Sequence, residues 1–430
     1  MSLSSTLDWH QTIGAPPIDR AARRPTKVLV HDYSGHAPTA RLARALCDAE
    51  HAVSYVSFAG FPSPKGRTGR EPDDPLNFSI AALDIPAAFD KENLFRRYLH
   101  ERAYARRLVQ FVAVERPDVV LSANAPLGVQ AALLELCEEL DAAFVFWCQD
   151  IQGEAIGRLL GRRNRPLGAA LRQVFRHRER QLLEASDAVI VIAESFRRTL
   201  AAAPWRLDTS EIEVIENIAP LAEFPPLSRD NAWARRHFRP GRKRLVYTGT
   251  LARKHNPQML LHLARHLDAD VWLFSQGASV DQLAGQARHE GVENLFVRPW
   301  VEVGELGAAL AGADVLCALL EADASCFSVP SKVLSYMAAG RPVVAAMPVD
   351  NLAAETIAGA GAGTVVAPGD FEGLVAAARH LLADPEGAAR MGQAGRAFAE
   401  QHFDLEVMCD RLRRIVARAR SMRARRRRAS

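Results

Sequence analysis

Hydrophobic and polar positions alternate along this chain in repeated strand-then-helix units. Short apolar runs at residues 27–33 and 244–250 are typical of buried parallel strands, and a polar turn and a helical pattern follow each of them. The units form two series, which a segment with three prolines at residues 219–229 separates. This pattern predicts an α/β protein with two doubly wound Rossmann-like domains that face each other across a cleft.

The two series also predict where the domains begin and end. We expect the closing helix to cross back to the first domain, and we expect a long loop at residues 60–90, which are rich in proline, glycine and charge. The predicted parts are a loose leader at 1–26, a first domain at 27–218, a linker at 219–230, a second domain at 231–403, and a closing helix with an arginine-rich tail at 404–430.

Composition excludes several classes of protein. The 430 residues are 48% hydrophobic, enough for two cores, yet no apolar run is long enough to span a bilayer and the leader lacks an apolar signal core. The six cysteines form no CxxC pair, so we expect reduced thiols in a cytoplasmic protein, without zinc or disulfides.

The net charge of +4 comes from one end of the chain. Residues 411–430 contain ten arginines and no acid, so the rest of the chain is acidic overall. The tail and a second basic strip at residues 172–180 predict peripheral attachment to the anionic surface of the inner membrane. A solvated, disordered terminus is the alternative. Nucleic acid is not a predicted partner, because no aromatic residues interleave with the basic ones.

Two segments of the second domain are candidate anion sites. At residues 326–345, Ser331 is the predicted N-cap of a helix that Gly340 ends, and the free amides with Lys332 would attract an anion. The other segment is the turn from Gly249 to Lys254. Only six residues are lysine, and two of them fall in these segments. The alternative is an ordinary loop–helix–strand unit.

Two candidates of the first domain follow strands. Gly35 and His36 form a turn at the carboxyl end of the first strand, where doubly wound sheets bind ligands, although a single glycine favours a plain tight turn. Asp150 ends the buried apolar run at residues 142–150, where it is placed either for chemistry or as the N-cap of the next helix.

The chain resembles the family-4 glycosyltransferases of the B-type fold (GT-B) over roughly residues 27–420. In the second half the resemblance rests on VYTGTLARKHNP, ADVLCALLE, VPSKVLSYMAAGRPVVA and GAGTVVAPGD. In the first half it rests on HDYSGHAPTARLARAL, FWCQDIQGEA and DAVIVIAESF. The most similar branch builds bacterial surface polysaccharides, with WcaI- and WbuB-like enzymes of colanic acid and O antigen as its type.

The resemblance implies where a nucleotide-diphosphate sugar would bind. Lys254 matches the family's lysine, Thr250 replaces its usual arginine, and Arg253 is the expected substitute. Two glutamates of the family fall at Ser335 and near Phe327, so neither is present. The implied donor-binding residues are Gly249, Thr250, Arg253, Lys254, Gly277, Ser331, Lys332, Val333 and Ser335.

The resemblance also implies the reaction. A sugar would pass from the donor to a glycan or polyprenyl-linked acceptor with retained configuration, without a metal or a cofactor. Asp150 would orient the acceptor hydroxyl, while Gly35 and His36 would form an acceptor or phosphate loop. Two alternatives remain open: a catalytically weak nucleotide-sugar-binding or scaffold subunit of an assembly complex, which the missing glutamates suggest, and a nucleotide-sugar epimerase of the same fold.

Overall fold

A computed structural model describes residues 24–429, except 64, 88, 90–92, 156–164, 220, 252 and 326. The predicted leader therefore lies almost entirely outside the described residues. Within them the chain forms two separate parallel sheets with helices on both faces, one of seven strands and one of six. The predicted α/β class with two doubly wound domains is confirmed.

The first sheet has the strand order β3-β2-β1-β4-β5-β6-β7, and every neighbouring pair is parallel. Its central strands β1, β4 and β5 are almost wholly buried, as expected for a sheet that helices cover on both faces. The strands are β1 (Thr26–Asp32), β2 (His51–Phe58), β3 (Phe78–Leu83), β4 (Val119–Ala123), β5 (Ala143–Cys148), β6 (Ala188–Val191) and β7 (Ile212–Val214).

Five helices pack on the first sheet. A helical turn at residues 152–155, beside a gap in the described chain, lies between α3 and α4. The helices are α1 (Ala37–Leu46), α2 (Leu94–Glu115), α3 (Leu127–Leu140), α4 (Arg165–Ala185) and α5 (Glu194–Ala201).

The second sheet has the order β10-β9-β8-β11-β12-β13 and is also parallel throughout. In both sheets the first strand lies at the centre and the chain winds outward on both sides. The strands are β8 (Arg244–Thr248), β9 (Asp270–Phe274), β10 (Leu295–Arg298), β11 (Val315–Leu319), β12 (Val343–Ala346) and β13 (Gly363–Val366).

The remaining helices cover the second sheet and close the chain. They are α6 (Ala232–His237), α7 (Gln258–His266), α8 (Ala278–His289), α9 (Leu306–Ala311), α10 (Lys332–Ala338), α11 (Leu352–Gly359), α12 (Phe371–Ala383), α13 (Pro385–His402) and α14 (Leu405–Ala429).

The prediction of a loop across residues 60–90 is wrong in part. Phe78–Leu83 forms β3, the edge strand of the first sheet, which pairs with β2 over six residues. Phe78 is the only residue of β3 with a fully buried side chain. The sequence of β3 therefore lacks the apolar run that marks the central strands. The long helix α2 follows, and its 22 residues were also not predicted from the pattern.

The closing helix crosses back to the first domain, as predicted. α14 leaves α13 of the second domain and packs against α1 and against β4, β5 and β6. Leu412, Ile415, Val416 and Ala419 are buried in this contact. The helix extends to Ala429, so the segment predicted as an arginine-rich tail is helical, and several of its arginines find partners on the first domain.

The arginines of α14 are therefore not a disordered tail within the described residues. The guanidinium of Arg418 lies 2.9 Å from Glu213, and that of Arg427 lies 2.6 Å from Asp141. Arg423 donates to the carbonyl of Glu138 at the end of α3. None of the described helices is both long enough and apolar enough to cross a bilayer.

The packing of α14 predicts a large effect of one buried side chain. Leu412→Ala should destabilise the first domain by about 2–5 kcal/mol, because it leaves a cavity between α14 and the sheet. Val407→Ala is the matched control, since Val407 lies on the same helix and is 53% exposed. Denaturant unfolding would measure both variants, and equal midpoints would contradict the described packing.

Candidate active site

A pocket of about 300 Å³ opens at the carboxyl ends of β1, β4 and β5. The strand order reverses between β1 and β4, and such a reversal leaves the crevice in which doubly wound sheets bind ligands. The pocket brings together two residues that were predicted from separate segments, His36 and Asp150. Its walls include Tyr33, His36, Asn124, Gln130, Trp147 and Asp150.

The loop after β1 is folded around the carboxylate of Asp32. This buried group accepts hydrogen bonds from the amides of Ser34 at 3.1 Å and His36 at 2.7 Å. Gly35 has a φ of 72°, a left-handed conformation that favours glycine. Because Asp32 occupies these two amides, they are not available to bind a phosphate.

Three buried polar atoms in the pocket walls lack hydrogen-bond partners among the described residues. They are the hydroxyl of Tyr33, Oε1 of Gln130 and Nε1 of Trp147. Buried polar groups are nearly always paired in folded proteins, and leaving one unpaired is costly. Two of these groups can donate a hydrogen bond and one accepts, and all three atoms lie buried behind the surface of the pocket.

Asp150 does not cap the helical turn that follows it. The amides of Gln152 and Gly153 donate instead to the carboxylate of Glu179 on α4, at 3.0 and 2.6 Å. The carboxylate of Asp150 is exposed and makes no hydrogen bond or ion pair within the described part of the chain. The N-cap alternative is therefore wrong, and Asp150 remains available to a ligand in the pocket.

Glu179 is a buried acid directly behind this turn. Burial raises its pKa to about 8, although the two backbone amides oppose the shift. A neighbouring acid, Glu154, is also buried and is paired with Arg176 at 2.6 Å and with the indole of Trp205 at 3.1 Å. Part of the basic strip predicted at residues 172–180 thus serves the interior of the first domain.

The second domain has its own strand-order reversal, between β8 and β11. Gly249 follows β8 with a φ of 91°, and a Cβ there would lie 3.7 Å from Nζ of Lys332. The Lys332 ammonium lies 3.6 Å above the ring centroid of Tyr247 and has no hydrogen-bond partner among the described residues. Burial and then repulsion from Lys254 lower the pKa of Lys332 well below its usual value.

Lys254 joins the two predicted segments of the second domain. Its ammonium donates to the hydroxyl of Ser328 at 2.8 Å, and its carbonyl accepts from the amide of Glu321, which follows β11. Asn351 holds the same loop by donating to the carbonyl of Ser328 at 2.9 Å. The turn after β8 and the segment before α10 therefore form one site, as the resemblance implied.

Two details of the predicted helix start are corrected. Ser331 occupies the N-cap position of α10, but its hydroxyl makes no capping hydrogen bond and its backbone is already helical. Val333, a predicted donor-binding residue, has a fully buried side chain, and its amide donates to the carbonyl of Pro330. Gly340 ends the helix with a φ of 69°, as predicted.

The other predicted donor residues lie around this site. Thr250 is exposed, and its carbonyl accepts from the hydroxyl of Tyr247 at 2.8 Å. Gly277 begins α8 at the carboxyl end of β9 with a φ of 118°. Ser335 lies on α10 and is partly exposed. The side chain of Arg253 lies outside the described residues.

Contacts between the domains connect the two sites. Ser331 and Asn217 line one cavity of about 60 Å³, together with residues of α11, α13 and α14. The amide of Asn217 donates to Oε1 of Gln149 at 2.8 Å, and Gln149 precedes Asp150 in the wall of the first pocket. The start of α10 and the first-domain pocket are thus linked through Asn217 and Gln149.

Two parallel α/β domains with a ligand crevice at each strand-order reversal define a GT-B protein. Two family models match the chain: residues 18–217 match a glycosyl transferase 4-like domain, and residues 242–384 match the glycosyl transferases group 1. Together these matches account for most of the chain. The protein is a glycosyltransferase and belongs to family 4. No curated protein sequence matches it.

Solved structures agree on the fold. Sucrose-phosphate synthase from Thermosynechococcus elongatus superposes with a TM-score of 0.72 at 16% identity, over 91% of this chain and 98% of that one. HepE from Anabaena, in complex with UDP-glucose, superposes with a TM-score of 0.66 at 14% identity, over 91% and 99% of the two chains. At these identities the likeness concerns the fold alone.

Several residues of the first pocket were not predicted. Asn124 follows β4 with a φ of 54° and its amide lies 3.3 Å from Nδ1 of His36, while Arg97 reaches the pocket from α2. An asparagine directly after a buried strand was the available signal for Asn124. No local pattern indicated Tyr33, Gln130 or Glu179, because they meet only in the folded chain.

The raised pKa of Glu179 predicts a pH dependence of stability. The pKa of Glu179 in the folded protein, about 8, lies above its ordinary value of 4.5. The contribution of Glu179 to the free energy of unfolding is therefore full below pH 4.5 and is lost as the pH rises through about 8. We expect wild-type stability to fall by about 1 kcal/mol or more across this range, relative to Glu179→Gln, which cannot ionise. Parallel pH profiles of the melting temperature for the two proteins would contradict this.

Proposed function

We propose that this glycosyltransferase moves a sugar from a nucleotide-diphosphate sugar to a hydroxyl group of a glycan acceptor, which a polyprenyl lipid carries. The observation that carries the proposal is the pairing of two unlike sites, one in each domain. Within the described residues, one site holds a buried ammonium without a hydrogen-bond partner, and the other holds an exposed carboxylate without one. These are the complements of a diphosphate and of a sugar.

The donor diphosphate occupies the second-domain site. Lys332 and Lys254 approach the same turn, and Gly249 leaves the space between backbone and ammonium open. A diphosphate there would supply the counter-charge that Lys332 lacks. The UDP-glucose in the HepE structure, which has the same fold, supports a nucleotide sugar as the donor.

The acceptor sugar occupies the first-domain pocket. Asp150 accepts a hydrogen bond from the attacking hydroxyl and orients it toward the anomeric carbon of the donor. The hydroxyl oxygen approaches the anomeric carbon from the side of the leaving diphosphate, so the configuration is retained as the new bond forms and the bond to the diphosphate breaks. The proton of the hydroxyl passes to an oxygen of the departing diphosphate. Lys254 and Lys332 stabilise the charge that develops on this leaving group, so the proposed reaction needs no metal.

The proposed role is the synthesis of a bacterial surface polysaccharide in the cytoplasm, at the inner membrane. It rests on the resemblance of the sequence to enzymes of that branch. A second candidate is a catalytically weak binding or scaffold subunit, because Ser335 and the buried Phe327 stand where the family has glutamates. Release or transfer of sugar from a radiolabelled UDP-sugar would separate the two functions.

Replacing Lys332 should affect binding and folding in opposite directions. Lys332→Met keeps the length of the side chain and removes a buried charge, so we expect unchanged or higher stability. Nucleotide affinity should fall about tenfold or more, since a charge-assisted contact contributes roughly 1.5–3 kcal/mol. Lys254→Ala should show a similar loss of affinity.

Calorimetric titration with UDP-glucose and other nucleotide sugars measures these affinities. Lys243→Met is the control, because Lys243 lies just before β8, at the opposite end of that strand from Gly249. Wild-type affinity in both Lys332→Met and Lys254→Ala would remove the donor site from this turn.

Replacing Asp150 should separate turnover from binding. In Asp150→Asn we expect kcat to fall about a hundredfold, while nucleotide affinity stays near the wild-type value, because the donor lies in the other domain. Glu179 caps the adjacent turn, so the variant should also fold normally. Steady-state kinetics and circular dichroism test this, and equal losses of kcat and nucleotide affinity would refute the acceptor role.

A further inference from the structure

The first two turns of α2 expose an unusual group of large apolar side chains. Phe95 is 70% exposed, Tyr98 is 54% exposed and Leu99 is 47% exposed. Their spacing of three and four residues places them on one face of the helix. Single exposed apolar residues are normal on protein surfaces, but a contiguous patch with two aromatic rings marks a contact surface.

The same face continues into basic residues. Arg102 and Arg106 follow Leu99 at helical spacing and are exposed, and the guanidinium of Arg102 lies 5.8 Å from the ring centroid of Tyr98. The only acid in the first four turns of α2, Glu101, is paired with Arg97 at 2.7 Å on another side of the helix. The exposed face of these turns is therefore apolar and positively charged.

The start of α2 lies between this face and the first-domain pocket. Arg97, on the opposite side of the helix from Phe95 and Leu99, is part of the pocket wall. On the other side, a groove between α2 and α3 is lined by Arg102 and Arg106 and by the acids Glu135 and Glu139. Those acids limit the basic surface to the start of α2, next to the pocket.

We propose that the α2 face formed by Phe95, Tyr98, Leu99, Arg102 and Arg106 docks on an anionic phospholipid bilayer. Aromatic and aliphatic side chains enter the interface between headgroups and acyl chains, and arginines bind the lipid phosphates. The inference rests on the proposed function in one respect: docking at this place brings a lipid-carried acceptor to the mouth of the pocket.

The arginines of α14 were predicted to form a free tail that binds the membrane. In the folded helix they are less suited to this contact. Arg418 and Arg427 are paired with acids of the first domain, and Arg423 donates to a carbonyl at the end of α3. Acids of the first domain therefore compensate part of this charge. The α2 face combines positive charge with exposed apolar area, and stable attachment of a peripheral protein needs both.

Cosedimentation of the full chain with vesicles tests the proposal. The vesicles contain phosphatidylcholine with or without phosphatidylglycerol, at low and at raised salt. We expect wild-type protein to bind only the anionic vesicles, and we expect Phe95→Ser with Leu99→Ser to weaken binding at least about tenfold. Arg102→Gln with Arg106→Gln should weaken it about as much and reduce the salt dependence.

Two matched controls accompany these variants. Val114→Ser alters an 83% exposed apolar residue at the far end of the same helix, and Arg425→Gln with Arg428→Gln removes two exposed charges from α14. Both should bind anionic vesicles like the wild type. The proposal is overturned if wild-type protein ignores anionic vesicles, if the α2 variants bind normally, or if the α14 variant loses binding as they do.

Two further measurements distinguish membrane docking from self-association of the chain and from a failure of the proposed function. In sedimentation velocity, a dimer that the α2 variants dissociate would show that the patch binds a second copy of the chain, and this result would overturn lipid docking. UDP-glucose affinity should be unchanged in the α2 variants, because the donor lies in the other domain. Normal vesicle binding by a protein without nucleotide affinity would refute the proposed function and leave the docking surface standing.

Discussion

Burial of the parallel strands on both faces is the constraint on which this structure depends. The central strands of both sheets expose almost no side chain to solvent, so polar chemistry cannot lie along them. It is confined to the loops at the strand ends. Each sheet has one reversal of strand order, and both candidate sites lie at the carboxyl end of that reversal.

The closing helix connects the two domains, so the fold itself sets the position of one site relative to the other. α14 begins after the last helix of the second domain and buries its apolar face on the first. Its residue Met408 also lines the small cavity that Ser331 and Asn217 share between the domains. Asn217 of this cavity donates to Gln149, which lines the first-domain pocket.

The two sites differ in charge in a way that suits two different substrates. In the first domain Asp32 occupies two of the loop amides, and Asp150 makes no hydrogen bond or ion pair within the described residues, so a hydroxyl group is the proposed ligand. In the second domain Lys332 is buried without a hydrogen-bonding partner, at a cost to stability. Strain of this kind is common where a protein is organised around a ligand. The proposed transfer, from an anionic donor to a neutral acceptor, is consistent with this difference.

The sequence by itself determined the fold class. It also determined the succession of strands along the chain, wherever the hydrophobic pattern revealed a strand. Apolar runs between turns have one stable solution when helical segments alternate with them, which is a buried parallel sheet. It also placed Gly249, Lys254 and Lys332 in one site through the family motifs. The weak alternation of β3 gave no such signal, because an edge strand buries few side chains.

Only the tertiary structure decided which groups are free and which are paired. Glu179 takes the amides that Asp150 was placed to cap, and Pro330 takes the amide of Val333. The arginines beyond residue 417 belong to a helix docked on the first domain rather than to a tail. Hydrogen bonds and ion pairs between residues far apart in the chain leave no periodic trace in it, so pairing and burial could not be determined until the elements were packed.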